Sequence, residues 1–277
     1  MLRILTPVTF TQGDISGLNM AFHIAKHQPC QITLLNCFPE IIDRTDNHKN
    51  HTLTMPQLQN RLLKYEAQAR ERNSANPFDL VIDSILASGY PEEIIPEIAR
   101  TKSYDLVIMT SDCSNNEMKE VTGSITNDVL NKIKVPLLVI PTNYKIKNDK
   151  ITDILFSLDF THDEYTALHQ LITIIVECGS NIHCIQFTNK KPTEEEITGL
   201  NELKHYLTKT YRGAKFIMEF LCGEDFYDTI NDYIKRRNIQ LLTLIKKHPS
   251  HLFHWHKSAI TSKALYHINI PLLIINH

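Results

Sequence analysis

The sequence predicts an α/β protein built from two tandem domains, each an open parallel sheet of five strands with helices on both faces. Three observations predict it. Residues 3–18 align without a gap on residues 153–168, so that Arg3-Ile4-Leu5-Thr6-Pro7-Val8-Thr9-Phe10 stands against Asp153-Ile154-Leu155-Phe156-Ser157-Leu158-Asp159-Phe160. The run Val135-Pro136-Leu137-Leu138-Val139-Ile140 returns as Ile270-Pro271-Leu272-Leu273-Ile274-Ile275. Short apolar runs alternate with segments of helical period, the order that right-handed crossovers turn into a covered parallel sheet. Solenoid units repeat at roughly 20–50 residues; this repeat is far longer and marks a duplicated domain. Domain 1 is read as residues 1–141, the polar connector as 142–150 and domain 2 as 151–277.

Each element has a local reason. Leu2–Val8 is a short apolar run and reads as the first strand. Leu18, Ala21, Phe22 and Ala25 follow at helical spacing and give a helix one apolar face. Gln31–Phe38 is the second strand, and the polar stretch from Pro39 to Met55 reads as a loop. Pro56 suits the first turn of a helix, because its missing N–H has no partner there. Leu80–Leu86, Asp105–Met109 and Val135–Ile140 complete the first set of strands, with helices over Pro91–Lys102 and Val121–Lys132. The second half repeats the order, with strands at Ile154–Leu158, Asn181–Phe187, Lys215–Leu221, Gln240–Ile245 and Ile270–Ile275. Its helices centre on Leu168–Ile175, Ile197–Leu207, Phe226–Ile234 and Ser262–His267.

Composition narrows the function. The 277 residues are 42% hydrophobic and 22% charged, enough apolar material for packed cores. Net charge is −2, divided as −3 up to Pro141 and +1 after it, so neither half has the basic excess of a nucleic-acid binder. No apolar run reaches the ~20 residues that span a bilayer. The start of the chain lacks a basic leader and cleavage site, so a cytoplasmic location is expected, with no membrane partner. None of the six cysteines forms a C-x-x-C pair, and reduced core thiols are expected.

Open parallel sheets bind ligands beyond the carboxyl ends of their strands, where strand order reverses. In the first half this edge collects the turns after Val8, Leu35, Leu86 and Met109. The turn after Met109 carries Gly123-Ser124 just where a helix is expected to start, and free N–H groups and the helix dipole there favour an anion. A helix cap by Ser124 is the plain alternative.

These features together resemble the universal stress protein family over nearly the whole chain. The resemblance rests on Ile4-Leu5-x-Pro7-Val8-x-Phe10-Thr11, the Asp105–Met109 strand, the Gly123-Ser124 turn, and Pro136-Leu137-Leu138-Val139-Ile140-Pro141. It implies two Rossmann-like, adenine nucleotide alpha hydrolase-like domains packed as an intramolecular pseudo-dimer through their last strands. It also implies an ATP site formed by G-x2-G-x9-G-[ST] after the fourth strand and an Asp at the end of the first. This chain departs from both patterns. Thr110 and Cys113 stand where the first two glycines belong, and Thr9 stands where the Asp belongs. The second half keeps the acid as Asp159 but has no glycine in its loop, where Ser258 is the counterpart of Ser124. By resemblance, the ligand-facing residues are Pro7, Val8, Thr9, Asn36, Thr110, Cys113, Gly123, Ser124 and Ile125, with Asp159 and Ser258 in the second half. A Cβ at a phosphate loop obstructs close approach. The expected ligand is therefore ATP or another phosphate-bearing molecule, held weakly and in domain 1.

His248, His251, His254 and His256 lie close together, and the last three have metal-compatible spacing. No acid or cysteine accompanies them, so no metal is expected. Asp159 has a second reading as a turn or cap residue. No nucleophile elbow, Walker loop or H-E-x-x-H motif occurs, so the expectation is a regulatory binding protein and no enzyme. A non-catalytic interaction scaffold with both sites vestigial is the alternative. A hydrolase would need Asp112 or Glu117 as its base. The protein partners and any further association of two chains are left open by the sequence.

Overall fold

The computed structural model describes residues 1–38, 54–111, 119–158, 164–175, 179–246 and 269–276, with backbone alone for 119–124 and 148. The apolar runs become ten strands of one sheet. In the first half these are β1 (Leu2–Pro7), β2 (Cys30–Phe38), β3 (Leu80–Ser88), β4 (Leu106–Ser111) and β5 (Leu137–Pro141). The second half supplies β6 (Asp153–Leu158), β7 (Asn181–Thr188), β8 (Lys215–Cys222), β9 (Leu241–Lys246) and β10 (Leu272–Asn276). The helices are α1 (Asp14–Ala25), α2 (Met55–Arg72), α3 (Pro91–Thr101), α4 (Lys119–Lys132), α5 (Glu164–Ile175), α6 (Glu194–Thr210) and α7 (Phe226–Arg237). The expected helix at Ser262–His267 and the loop at 39–55 fall outside the described residues, except for Thr54 and Met55.

Several boundaries have a visible cause. Pro56 sits in the first turn of α2, and the Thr54 N–H donates to Gln57 Oε1 at 2.8 Å. A capping box starts α6, where Thr193 Oγ1 accepts from the Glu196 N–H and the Thr193 N–H donates back to Glu196 Oε2. Asp225 accepts from the Asp228 N–H at the start of α7, and Asn238 ends that helix in the left-handed region.

The strand order is β3-β2-β1-β4-β5-β10-β9-β6-β7-β8. Within each half every pairing is parallel, and the second half repeats the order of the first in mirror sequence along the sheet. The two halves meet at the antiparallel pair β5–β10, with Leu137, Leu138 and Val139 opposite Ile274, Leu273 and Leu272. Two apolar edges that would otherwise be exposed to aggregation thereby close on each other. Side chains of the paired strands alternate between faces. Leu138, Ile140, Leu273 and Ile275 enter one core with α1 and α5, and Leu137, Val139, Leu272 and Ile274 enter the other with α4 and α7. Both cores therefore run across the join. Lys246 Nζ donates to the Leu130 carbonyl in the last turn of α4 at 2.6 Å, and Asn276 Nδ2 donates to the Val135 carbonyl at 2.9 Å. On the α1 side, Gln28 Nε2 donates to the carbonyls of Thr173 and Ile174.

Candidate functional site

In the first half the strand order reverses between β1 and β4, because β1 continues into β2 on one side and has β4 on the other. Ligand-facing residues of this fold should gather at the carboxyl ends of those strands. Pro7 ends β1 and Val8 follows it, Asn36 lies on β2, and Thr110 and Ser111 end β4.

The loop after β1 turns sharply. Phe10 takes φ 61°, a left-handed conformation that is uncommon outside glycine. The N–H groups of Thr9 and Thr11 then converge on one acceptor, the Asp14 Oδ2 atom, at 2.9 and 3.1 Å. The Thr9 hydroxyl donates to Asp14 Oδ1 at 3.0 Å. Such a concavity of backbone N–H groups is an anion site by construction, and here the anion is the protein's own first helical residue. Asp14 is only 3% exposed. Burial raises its pKa above the ordinary value, against the opposing pull of Thr9, Thr11 and the Phe10 N–H. Thr9, at the expected position of the family's acid, is thus engaged in holding Asp14.

Asn36 donates its Nδ2 hydrogen to the Val8 carbonyl at 2.8 Å, which fixes the orientation of the amide. Its Oδ1 is buried with no partner among the described residues. An orphaned acceptor at this edge suits a hydroxyl or amine donor and repels a phosphate.

Thr110 departs from expectation. The strand continues through it to Ser111, where the sequence predicts a loop. Thr110 pairs with Ile140 of β5. Its methyl lies 3.1 Å from where a Cβ on Gly17 would stand, so α1 rests directly on this side chain. Thr110 packs a helix onto the sheet. The Ser111 carbonyl is taken by the N–H and hydroxyl of Thr142, at 2.9 and 3.2 Å, which fastens the connector to the end of β4.

The universal stress protein family model matches residues 1–141, just over half of the chain. The chain belongs to the universal stress protein family. Its fold is similar over nearly its whole length to a universal stress protein from Archaeoglobus fulgidus DSM 4304, at 14% identity, with 99% of this chain and 96% of that chain covered and a TM-score of 0.73. A putative universal stress protein from Pseudomonas aeruginosa UCBPP-PA14 matches at 11% identity, over 99% and 92%, with a TM-score of 0.58. The cytoplasmic domain of a prokaryotic cation chloride cotransporter matches at 11% identity, over 99% and 94%, with a TM-score of 0.51. No curated relative matches the chain.

In this universal stress protein the retained Gly123-Ser124 pair also differs from expectation. It lies inside α4, which begins at Lys119, so the pair is not at the helix start. N–H groups beyond the first turn are bonded within a helix and are not free to meet an anion. Ile125 packs against the core that includes Val129 and Leu130 of the same helix and Ile133 just after it. Cys113, Asp159, Ser258, the His248–His256 run, Asp112 and Glu117 lie outside the described residues.

Of the sequence-predicted residues, the structure brings Pro7, Val8, Thr9 and Asn36 together at one edge, with Thr110 beside them but turned to α1. Among the described residues, the converging N–H groups of Thr9 and Thr11 already hold a carboxylate. The residue that sequence reasoning missed is Asp14. Its signal was legible: an acid following Gly13 at the first turn of an expected helix, close after a Thr that replaces an acid.

Among the described residues no group of metal-ligating side chains comes together, and no helix is long and apolar enough to cross a membrane. Cys30, Cys37, Cys184 and Cys222 are free thiols. Burial pushes Cys30 up to about 11 and Cys37 up to about 12, which keeps both unreactive.

Proposed function

We propose that this universal stress protein acts as a cytoplasmic regulatory binding protein whose first domain takes ATP, or another phosphate-bearing ligand, only weakly. The observation that carries this reading is the Asp14 carboxylate seated on the Thr9 and Thr11 N–H groups. A phosphate brought to that edge meets like charge and donors already engaged, and must displace a buried group to gain them. The free Asn36 acceptor favours the nucleoside portion of a ligand over its phosphates. The four free thiols of the described residues, Cys30 and Cys184 buried among them, suit a reducing compartment.

The alternative, a non-catalytic interaction scaffold, is favoured by Thr110, whose methyl fills the space under α1 that the family pattern leaves to a glycine.

Mass spectrometry of nucleotide released on denaturing the purified protein tests the proposal. Little or no ATP or AMP from the natural protein, and a clear gain in Asp14→Asn, supports weak binding limited by the carboxylate. ATP near one per chain in the natural protein contradicts it. No nucleotide in either, with no thermal stabilisation by added ATP, moves the assignment to the scaffold.

A further inference from the structure

A second crevice lies away from the switch point. It opens between the outer sides of α1 and α2 and the connector that follows β5, and encloses about 430 Å3. Ligand-sized pockets are roughly 300–1,000 Å3. Thr9, Asn36 and Thr110 are not part of its lining.

Three half-buried aromatic rings, Phe22, Tyr65 and Tyr144, contribute to its walls, and Lys26 just after α1, Arg72 of α2 and Lys145 of the connector reach it. Asp149 is the one lining acid and is paired with Lys26 at 2.7 Å. Among the described residues neither Arg72 nor Lys145 has a carboxylate within ion-pair distance. The crevice is therefore cationic in a chain of net charge −2. Aromatic surface beside unpaired guanidinium and ammonium groups matches one kind of ligand, since the rings cover a flat apolar body while the cations meet an anionic group.

We propose that this crevice is a second binding site, for a small organic anion that carries an aromatic ring. The site also reaches across the molecule. The Tyr144 hydroxyl donates to the Gln240 carbonyl at the start of β9, at 3.2 Å, and Gln240 Oε1 accepts the Thr152 N–H at 2.7 Å. An occupant touching Tyr144 and Lys145 sits on the strap that joins the two halves.

The test is a calorimetric titration of naphthyl phosphate into the full chain, with neutral naphthol in parallel and backbone-amide chemical shifts followed in the same samples. The expected result is saturable binding, with shifts at residues 15–26, 65–73 and 144–149. Replacing both cations, as Arg72→Gln with Lys145→Gln, should weaken binding by roughly tenfold or more, because charge-assisted contacts are lost. Both residues are exposed, so the variant should fold. Three results would overturn the proposal: no saturable binding, equal affinity for naphthol, or shifts centred on Thr9, Asn36 and Thr110. The first denies the site, the second reduces it to an apolar patch, and the third moves the ligand to the switch point.

Discussion

Asp14 shows how one side chain can settle the chemistry of a loop. Three donors from Thr9 and Thr11 end on its carboxylate. Asp14→Ala leaves the two N–H groups and a hydroxyl without their acceptor, and chemical denaturation should show a loss of about 1–3 kcal/mol. Asp14→Asn keeps an acceptor for the N–H groups and can donate to Thr9 Oγ1, so it should fold with far less loss. Gly17→Val tests the neighbouring contact. Its Cβ would meet the Thr110 methyl at 3.1 Å and push α1 off β4. Overpacking of this kind should lower stability by about 1–3 kcal/mol. The family resemblance put Pro7, Val8, Thr9 and Asn36 on one edge, and the strands that carry them are legible as apolar runs. The sequence could not show that Thr110 turns to α1, since that depends on where β4 stops. Nor could it show that Asp14 folds back, since that depends on the left-handed turn at Phe10.

Elements were the most legible scale. Strands and helices follow from period and from punctuation such as Pro56, Pro91 and the Thr193–Glu196 box. Thr193→Ala removes the cap of α6 and should cost about 1 kcal/mol in thermal or chemical unfolding. The expected start of α4 at Val121 lies two residues past the observed one at Lys119, and Gly123, which reads as a helix boundary, is inside the helix. In the second half of the sheet, β6 and β7 are tied by Asp153, which accepts from Asn181 Nδ2 at 2.9 Å and from Thr152 Oγ1 at 2.8 Å, and lies 3.2 Å from His183 Nε2. His183 Nδ1 in turn meets the Tyr233 hydroxyl of α7 at 2.9 Å. Burial pushes the Asp153 carboxyl up, but the bonds from Asn181, Thr152 and His183 outweigh it and hold the pKa below its usual value. A depressed carboxylate contributes stability above its unfolded pKa of 3.8 and loses it as pH falls through the folded value. Urea midpoints across acid pH should therefore fall more steeply in the natural protein than in Asp153→Asn below pH ~4.

At the scale of the molecule, the duplication is legible in the matching ends Val135–Ile140 and Ile270–Ile275, the family resemblance implied their pairing as the β5–β10 join, and both cores run through it. A fragment ending at Pro141 would expose Leu137, Leu138 and Val139 on an open edge. Light scattering on residues 1–141 should show self-association through that edge, and a stable monomer would contradict the role given to the join. The join leaves each half's switch point at its own strand ends, and the proposed weak ligand binding in the first half rests on local groups, Asp14 foremost. Calorimetric titration of ATP into the natural protein and into Asp14→Asn tests this most directly. The account predicts weak or undetectable heat in the natural protein and measurably tighter binding once the charge is removed. Tight binding by the natural protein, or binding that weakens in Asp14→Asn, would contradict it.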